Sequence, residues 1–136
     1  MKSVALLVTA AAAWSIVVAS TVAAAQIEPT TSPRSTNSGV YTNAQAEKGR
    51  VLFSDVCIVC HTDPFWRPSW RGKPLGELFT KILKYMPDDN PGTLSRDEVV
   101  SALAYILSSN GAPAGPSPLP DDVAALDRIV VDEPLK

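Results

Sequence analysis

The sequence predicts an all-α domain, and two kinds of pattern lead to this fold class. Apolar residues recur at three- and four-residue spacing in three separate stretches, which is the periodicity of amphipathic helices. Two of these stretches begin with capping boxes, formed by Thr42 with Gln45 and by Ser95 with Glu98. No stretch has the pattern of a strand. A length of 136 residues favours one domain.

The first helix is predicted from Ala44 to Asp55, because this segment is rich in helix formers and carries Leu52 and Phe53 at helical spacing from Gly49. A glycine inside a helix costs about 1 kcal/mol relative to alanine. We therefore expect another helix to approach closely at Gly49, which would offset this cost.

Two further helices follow. The second is predicted from Leu75 to Lys84, before the break at Pro87, and the third runs from Ser95 to the stop signal Asn110-Gly111. A short helical pattern after residue 120 has Asp121 or Asp122 as its candidate cap. The inner face of the third helix is predicted to consist of Val99, Ala102, Leu103, Ile106 and Leu107.

Residues 1–25 are predicted to be a secretory signal peptide. A positively charged start is followed by an uncharged stretch, Ser3–Ala25, which ends in the A-x-A cleavage pattern Ala23-Ala24-Ala25. The stretch is also long enough to span a bilayer, so an uncleaved anchor is the rival interpretation. Export predicts a periplasmic location, with no membrane attachment unless the signal is retained.

Composition divides the rest of the chain into three parts. Residues 26–41 are polar and contain prolines, which predicts a flexible linker. Residues 42–111 hold the three main helical patterns and form the predicted domain. Residues 112–136 form a Pro-rich C-terminal extension, which either wraps back on the body or serves as a docking tail. The net charge of −2 does not favour nucleic-acid binding.

The strongest motif is Cys57-Ile58-Val59-Cys60-His61, which has the C-x-x-C-H spacing of a c-type haem attachment site. In this interpretation the thiols of Cys57 and Cys60 bond covalently to the haem, and His61 binds the iron. Attachment outside the cytoplasm agrees with the predicted export.

Other uses of a C-x-x-C pair are a thioredoxin-like redox site, half of a zinc site and a local disulfide. A zinc site needs about four ligands, whereas the chain has two Cys and one His. A thioredoxin-like site would need strands, which the patterns do not predict.

Met86 is the candidate for the second axial iron ligand. It is the only Met besides Met1, and it lies in Tyr85-Met86-Pro87, at the end of a predicted helix. A thioether ligand closes the iron site and raises its potential, which favours electron transfer over ligand binding. The alternatives are that Met86 fills a gap in the core or that Lys84 takes its place as ligand.

The segments around these ligands carry aromatic and cationic side chains suited to haem propionates. Indole N–H and guanidinium groups stabilise such carboxylates when they are partly buried. An alternative for the arginines is a solvated surface role. The tentative pocket residues are Trp66, Trp70, Arg71 and Tyr85, with Arg67 as a further candidate.

These motifs resemble class I cytochrome c over residues Ala44 to Gly111. The resemblance implies a fold of three to five helices around one covalently bound haem c. It also implies that the first and last helices of the domain cross near Gly49 and Phe53, with Tyr105 packed at the crossing. The motifs that carry it are Gly49-x-x-x-Phe53, Cys57–His61, Met86-Pro87 and Tyr105.

A second resemblance concerns the string Met86–Ser95 together with Ala104–Leu107 and Asn110–Gly115. It is similar to periplasmic cytochromes of bacterial oxidation systems, some of which are subunits or partners of quinoprotein dehydrogenases. This implies an electron carrier rather than an enzyme, working between such a dehydrogenase and a terminal oxidase or another cytochrome. The alternatives are a fixed subunit of a dehydrogenase complex and an open-site haem peroxidase or gas-binding protein.

Overall fold

The computed structural model of the chain describes residues 32–62 and 68–133. Within them the protein is a small, mostly helical domain with four helices and little strand. The predicted signal peptide, residues 1–25, lies outside the described residues. The elements are β1 (Arg34–Ser35), α1 (Asn43–Leu52), α2 (Leu75–Tyr85), α3 (Arg96–Ser109), α4 (Val123–Leu126) and β2 (Ile129–Val130).

Helix α1 begins at the predicted capping box. The Thr42 side chain accepts from the backbone N–H of Gln45, and the Gln45 side chain accepts from that of Thr42. These two bonds satisfy N–H groups that a helix start leaves without partners. The regular helix ends at Leu52, three residues before the predicted end, and continues as a π-helical turn.

The closest helix contact is the crossing of α1 and α3 at Gly49. A Cβ atom at Gly49 would overlap the backbone carbonyl oxygen of Ser101 and lie 2.9 Å from Cβ of Tyr105. Just beyond, the rings of Phe53 and Tyr105 pack with centroids 5.5 Å apart. The predicted close approach at Gly49 is therefore confirmed, and the missing side chain is what permits it.

Helix α2 follows the prediction to within one residue at its end. Its apolar stripe faces the core, with Leu75 and Phe79 fully buried and Leu78 nearly so. The helix ends at Tyr85 and is capped by Met86, whose backbone N–H donates to the carbonyl of Ile82 at 2.9 Å. Pro87 is the next residue, and it cannot continue the helical hydrogen bonds because it has no backbone N–H.

Helix α3 is the most buried element among the described residues. Its predicted capping box is present, and its predicted inner face is buried except for Ile106, which is half-buried. Val100, Ser101 and Ala104 are also buried, so the helix is covered over more of its circumference than one stripe. The reason is that α1, α2 and the segments on both sides of the main helices pack around it.

Residues 32–41 differ from the predicted flexible linker. Val40 and Tyr41 are each 2% exposed, and the Tyr41 hydroxyl donates to the carbonyl of Ala112 at 2.6 Å. Strand β1 pairs in parallel with β2, with Arg34 opposite Ile129. No strand was predicted, because two residues per strand show no period. Residues 26–31, the rest of the predicted linker, lie outside the described part.

The C-terminal extension wraps back on the body as far as residue 133, which is the first of the two predicted alternatives. Asp122 caps α4 by accepting from the backbone N–H of Ala125 at 2.8 Å. Buried apolar side chains then join the main core: Leu119, Leu126, Ile129 and Val131. Within the described ranges, none of the helices has both the length and the apolar character needed to cross a membrane.

Replacing Ser95 with alanine should lower the free energy of unfolding by about 1 kcal/mol at pH 7, the usual cost of losing such a cap. The Ser95 hydroxyl and backbone N–H both donate to Glu98 Oε2 at 2.7 Å. These bonds lower the pKa of Glu98. A lowered pKa stabilises the fold above the unfolded value, about 4.3, and this stabilisation disappears as the pH falls.

The difference between wild type and Ser95→Ala in urea unfolding should therefore shrink below about pH 4. Glu98→Gln is the control, because an amide keeps the acceptor but does not titrate. A difference that stays constant from pH 7 to pH 3 would contradict this account.

Replacing Gly49 with alanine should destabilise the protein by about 1–3 kcal/mol, the usual cost of overpacking. In an exposed helix the same Gly→Ala change would instead raise the free energy of unfolding by about 1 kcal/mol. Urea unfolding measures the effect. Thr80→Ala is the control, because Thr80 is exposed on α2; it should leave stability unchanged or slightly raised. An increase for Gly49→Ala would refute the tight crossing.

Candidate functional site

The C-x-x-C-H motif begins inside a π-helical turn. This turn, Phe53–Cys57, follows α1 without a break, and the N–H of Ile58 donates to the carbonyl of Phe53 at 2.9 Å. Such five-residue hydrogen bonds are rare in proteins and occur frequently at functional sites. No local pattern predicts this turn, since Phe53–Cys57 contains no Gly or Pro that would signal an irregular helix.

Cys57, Cys60 and His61 share a single turn of backbone. The N–H groups of Cys60 and His61 both donate to the carbonyl of Cys57, at 3.2 and 2.8 Å. Cys57 is half-buried, whereas Cys60 and His61 are exposed. The structure thus places all three residues in one backbone turn beyond the C-terminal end of α1, with Cys60 and His61 open to solvent.

The surroundings of Cys57 do not favour a thiolate. Burial raises the pKa of its thiol. The motif also follows the C-terminal end of α1, where the helix dipole favours cations over anions. Reactive dithiols show the opposite arrangement, with the thiol at a helix N-terminus and a lowered pKa. Both cysteines are free thiols in this structure.

Exposed apolar side chains flank the predicted ligands. Ile58 and Val59, between the two cysteines, are 50% and 81% exposed. Tyr85, directly before Met86, is 51% exposed, and Val51 near the end of α1 is 46% exposed. Exposed apolar patches that are rimmed by polar residues mark ligand-binding or protein-interaction surfaces. The motif and the end of α2 therefore both present apolar surface.

Met86 occupies the C-terminal cap of α2. Its backbone is held by the bond to Ile82, and the next turn is closed by the N–H of Asn90, which donates to the carbonyl of Pro87 at 3.0 Å. The side chain is half-buried. Met86 is therefore fixed to the end of α2 rather than packed among the fully buried residues, which disagrees with a role as a simple core filler.

The tentative pocket residues have other partners in the described part of the chain. Trp70 is half-buried against the core, with the ammonium groups of Lys73 and Lys81 lying 5.1 and 5.8 Å from its ring centroid. Arg71 forms an ion pair with Glu133. The Lys84 ammonium lies 5.2 Å from the centroid of the Tyr85 ring.

These contacts leave the propionate role of Trp70, Arg71 and Tyr85 a prediction. Trp66 and Arg67 belong to residues 63–67, which lie outside the described residues. Apart from these gaps, the structure contains no group of three or more His, Cys, Asp or Glu side chains that could hold a metal ion.

The contact between α2 and the C-terminal segment was also not anticipated. At Gly76 a Cβ atom would overlap the Asp127 carboxylate and lie 3.1 Å from the carbonyl oxygen of Val123. The available signal was the glycine itself, because a Gly inside a helix costs about 1 kcal/mol relative to Ala unless a close contact offsets it.

Compared with known proteins, the chain matches no family model, no curated protein and no solved structure.

Proposed function

We propose that this chain is a single-haem periplasmic electron carrier of the class I cytochrome c type. The observation that carries the proposal is the turn holding Cys57, Cys60 and His61, which contains every Cys and His of the chain. Two free thiols and an imidazole in one turn, next to exposed apolar side chains, fit a covalently attached, apolar, iron-containing macrocycle.

Each predicted ligand has one role in this proposal. Cys57 and Cys60 would hold haem c through thioether bonds, and His61 and Met86 would bind its iron. The haem, when bound, supplies one-electron chemistry between Fe(III) and Fe(II). The chain's own contribution is to attach the group, keep small molecules away from the iron and raise its potential through Met86.

The packing of α1 on α3 supports the same proposal. The resemblance implies a crossing near Gly49 and Phe53 with Tyr105 packed there, and these residues do meet at the crossing. This contact holds the end of α1, and with it the motif, against the most buried helix. A rigid attachment limits movement of the ligands between oxidation states, which is what an electron carrier requires.

Two rival functions agree less well with the site. A thiol–disulfide protein needs an accessible thiolate, whereas burial raises the pKa of Cys57 and the pair lies at a helix C-terminus. An open-site peroxidase or gas binder would be helped by a second histidine, and the chain has one His.

The electron donor in this proposal is a quinoprotein dehydrogenase, and the electron acceptor is a terminal oxidase or another cytochrome.

Expression in a host that attaches haem c should give a red protein whose mass exceeds that of the mature chain by one haem. The bond should survive acid–acetone extraction, because thioethers are covalent. Cys57→Ser/Cys60→Ser should lose the haem. Ser38→Ala is the control and should keep the haem, because Ser38 is exposed and lies in the segment before α1, away from the motif in sequence. A colourless wild-type protein would overturn the proposal in favour of a thiol–disulfide role.

Replacing Met86 with alanine should open the iron site and lower the reduction potential, because the thioether both closes the site and raises the potential. Reduced wild-type protein should bind carbon monoxide slowly, and Met86→Ala rapidly, as measured by stopped-flow absorbance. Met86→His is the matched control: it should keep the site closed but still lower the potential. Rapid binding to the wild-type protein would favour the open-site rival instead.

A further inference from the structure

The segment after Leu119 fixes one end of α2. We call residues 119–131 the C-terminal strap; it contains α4 and β2. The carbonyl of Val131 accepts from the N–H of Gly72 at 2.9 Å, and the N–H of Val131 donates to the carbonyl of Lys73, also at 2.9 Å. An isolated bridge joins Pro74, the cap of α2, to Val130. The start of α2 is therefore hydrogen-bonded to the strap.

The strap also sets the distance at which α2 packs. At Gly76, the second residue of α2, a Cβ atom would overlap the Asp127 carboxylate and lie 3.1 Å from the Val123 carbonyl oxygen. The buried strap residues Leu126, Ile129 and Val131 share one core with Leu75 and Phe79 of α2. Helix α2 thus rests on α4 and β2 as well as on α3.

A third set of contacts anchors the strap to the N-terminal segment. The Gln45 side chain donates to the carbonyl of Leu119 at 2.9 Å and accepts from its N–H at 2.8 Å. Strand β1 pairs with β2, and Thr36 Oγ1 accepts from the N–H of Asp132 at 3.0 Å. The strap is therefore held on one side by α1 and the segment before it, and on the other side by α2.

We propose that the C-terminal strap is the positioning element for Met86. Met86 caps the far end of α2 and its backbone is bonded to that helix, so any change in how α2 docks moves the sulfur. His61 follows the π-helical turn that continues from the C-terminal end of α1. The strap bonds to Gln45 at the start of α1 and to the residues that lead into α2, and so fixes the relative placement of the two helices that carry His61 and Met86. This inference rests on the proposed function, in which Met86 binds the iron.

The test uses the intact haem-loaded protein and the variant Gly76→Val, which places a branched side chain against the Asp127 carboxylate and the Val123 carbonyl and so disturbs the packing of α4 on α2. Gly115→Ala is the matched control: its Cβ would overlap the carbonyl of Gly39, so it disturbs the C-terminal extension at a contact that does not involve α2. Val131→Ala is a milder second variant, for the case that Gly76→Val fails to fold.

The first measurement is the affinity of the oxidised protein for imidazole, which competes with Met86 for the iron. Imidazole should bind about tenfold more tightly to Gly76→Val than to wild type, which corresponds to about 1.4 kcal/mol of lost thioether binding. Val131→Ala should show a smaller change in the same direction, and Gly115→Ala should resemble wild type. The reduction potentials of Gly76→Val and Val131→Ala should also be lower than that of the wild type.

Amide hydrogen exchange provides a readout that does not depend on the iron ligand. Gly76→Val and Val131→Ala should accelerate exchange in α2, and Gly115→Ala should leave α2 unchanged. Faster exchange in α2 with unchanged imidazole affinity would overturn the positioning role, as would equal affinity gains in Gly76→Val and Gly115→Ala. If Met86→Ala itself binds imidazole no better than wild type, it is the proposed ligation that fails.

Discussion

The contact between the backbones of α1 and α3 at Gly49 is the constraint on which the rest of the fold depends. Because no side chain separates the helices there, the Ser101 carbonyl lies against Gly49 and the Phe53 and Tyr105 rings meet just beyond. The position of α1 determines where its C-terminal end lies, and the Cys57–His61 turn continues from that end. A shift at the crossing would therefore reach the candidate site directly.

Two backbone contacts of this kind occur in the domain, at Gly49 and Gly115. Each joins segments that are distant in sequence: α1 to α3, and the segment before α1 to the one after α3. Apolar burial supplies most of the favourable free energy of folding but is not directional. Gly49 and Gly115 supply direction, because each of these contacts requires one particular relative placement of two backbones.

The helical part of the structure could be read from the sequence because its signals are local. Capping boxes at Thr42 and Ser95 and the stripe from Leu75 to Leu83 lie within a few residues of what they determine, and all three helices begin within one residue of their predicted starts. Val40 and Tyr41 were missed because their partners are about seventy residues away, around Ala112. A polar, proline-containing segment with two apolar residues has no period that would indicate burial.

The candidate site shows the same division between local and distant information. Spacing alone brings Cys57, Cys60 and His61 into one turn, so the motif predicts its own geometry. The relation of Met86 to that turn depends on α2, the strap and the crossing together, and no local pattern encodes it. The π-helical turn before Cys57 is a further case, since its residues carry no signal that distinguishes them from an ordinary helix.

That π-helical turn also gives the chain a tolerance in length. The hydrogen bond from the Ile58 N–H to the Phe53 carbonyl spans one residue more than a regular α-helical hydrogen bond. The turn therefore holds an extra residue without disturbing α1. Removing one residue from Ser54–Val56 would convert the turn into ordinary α-helix and leave the motif attached to an intact helix. Removing a second would rotate the motif by about 100° around the helix axis. Chains of this design can therefore differ by one residue before the motif, but not by two, and still present the same groups on the same side.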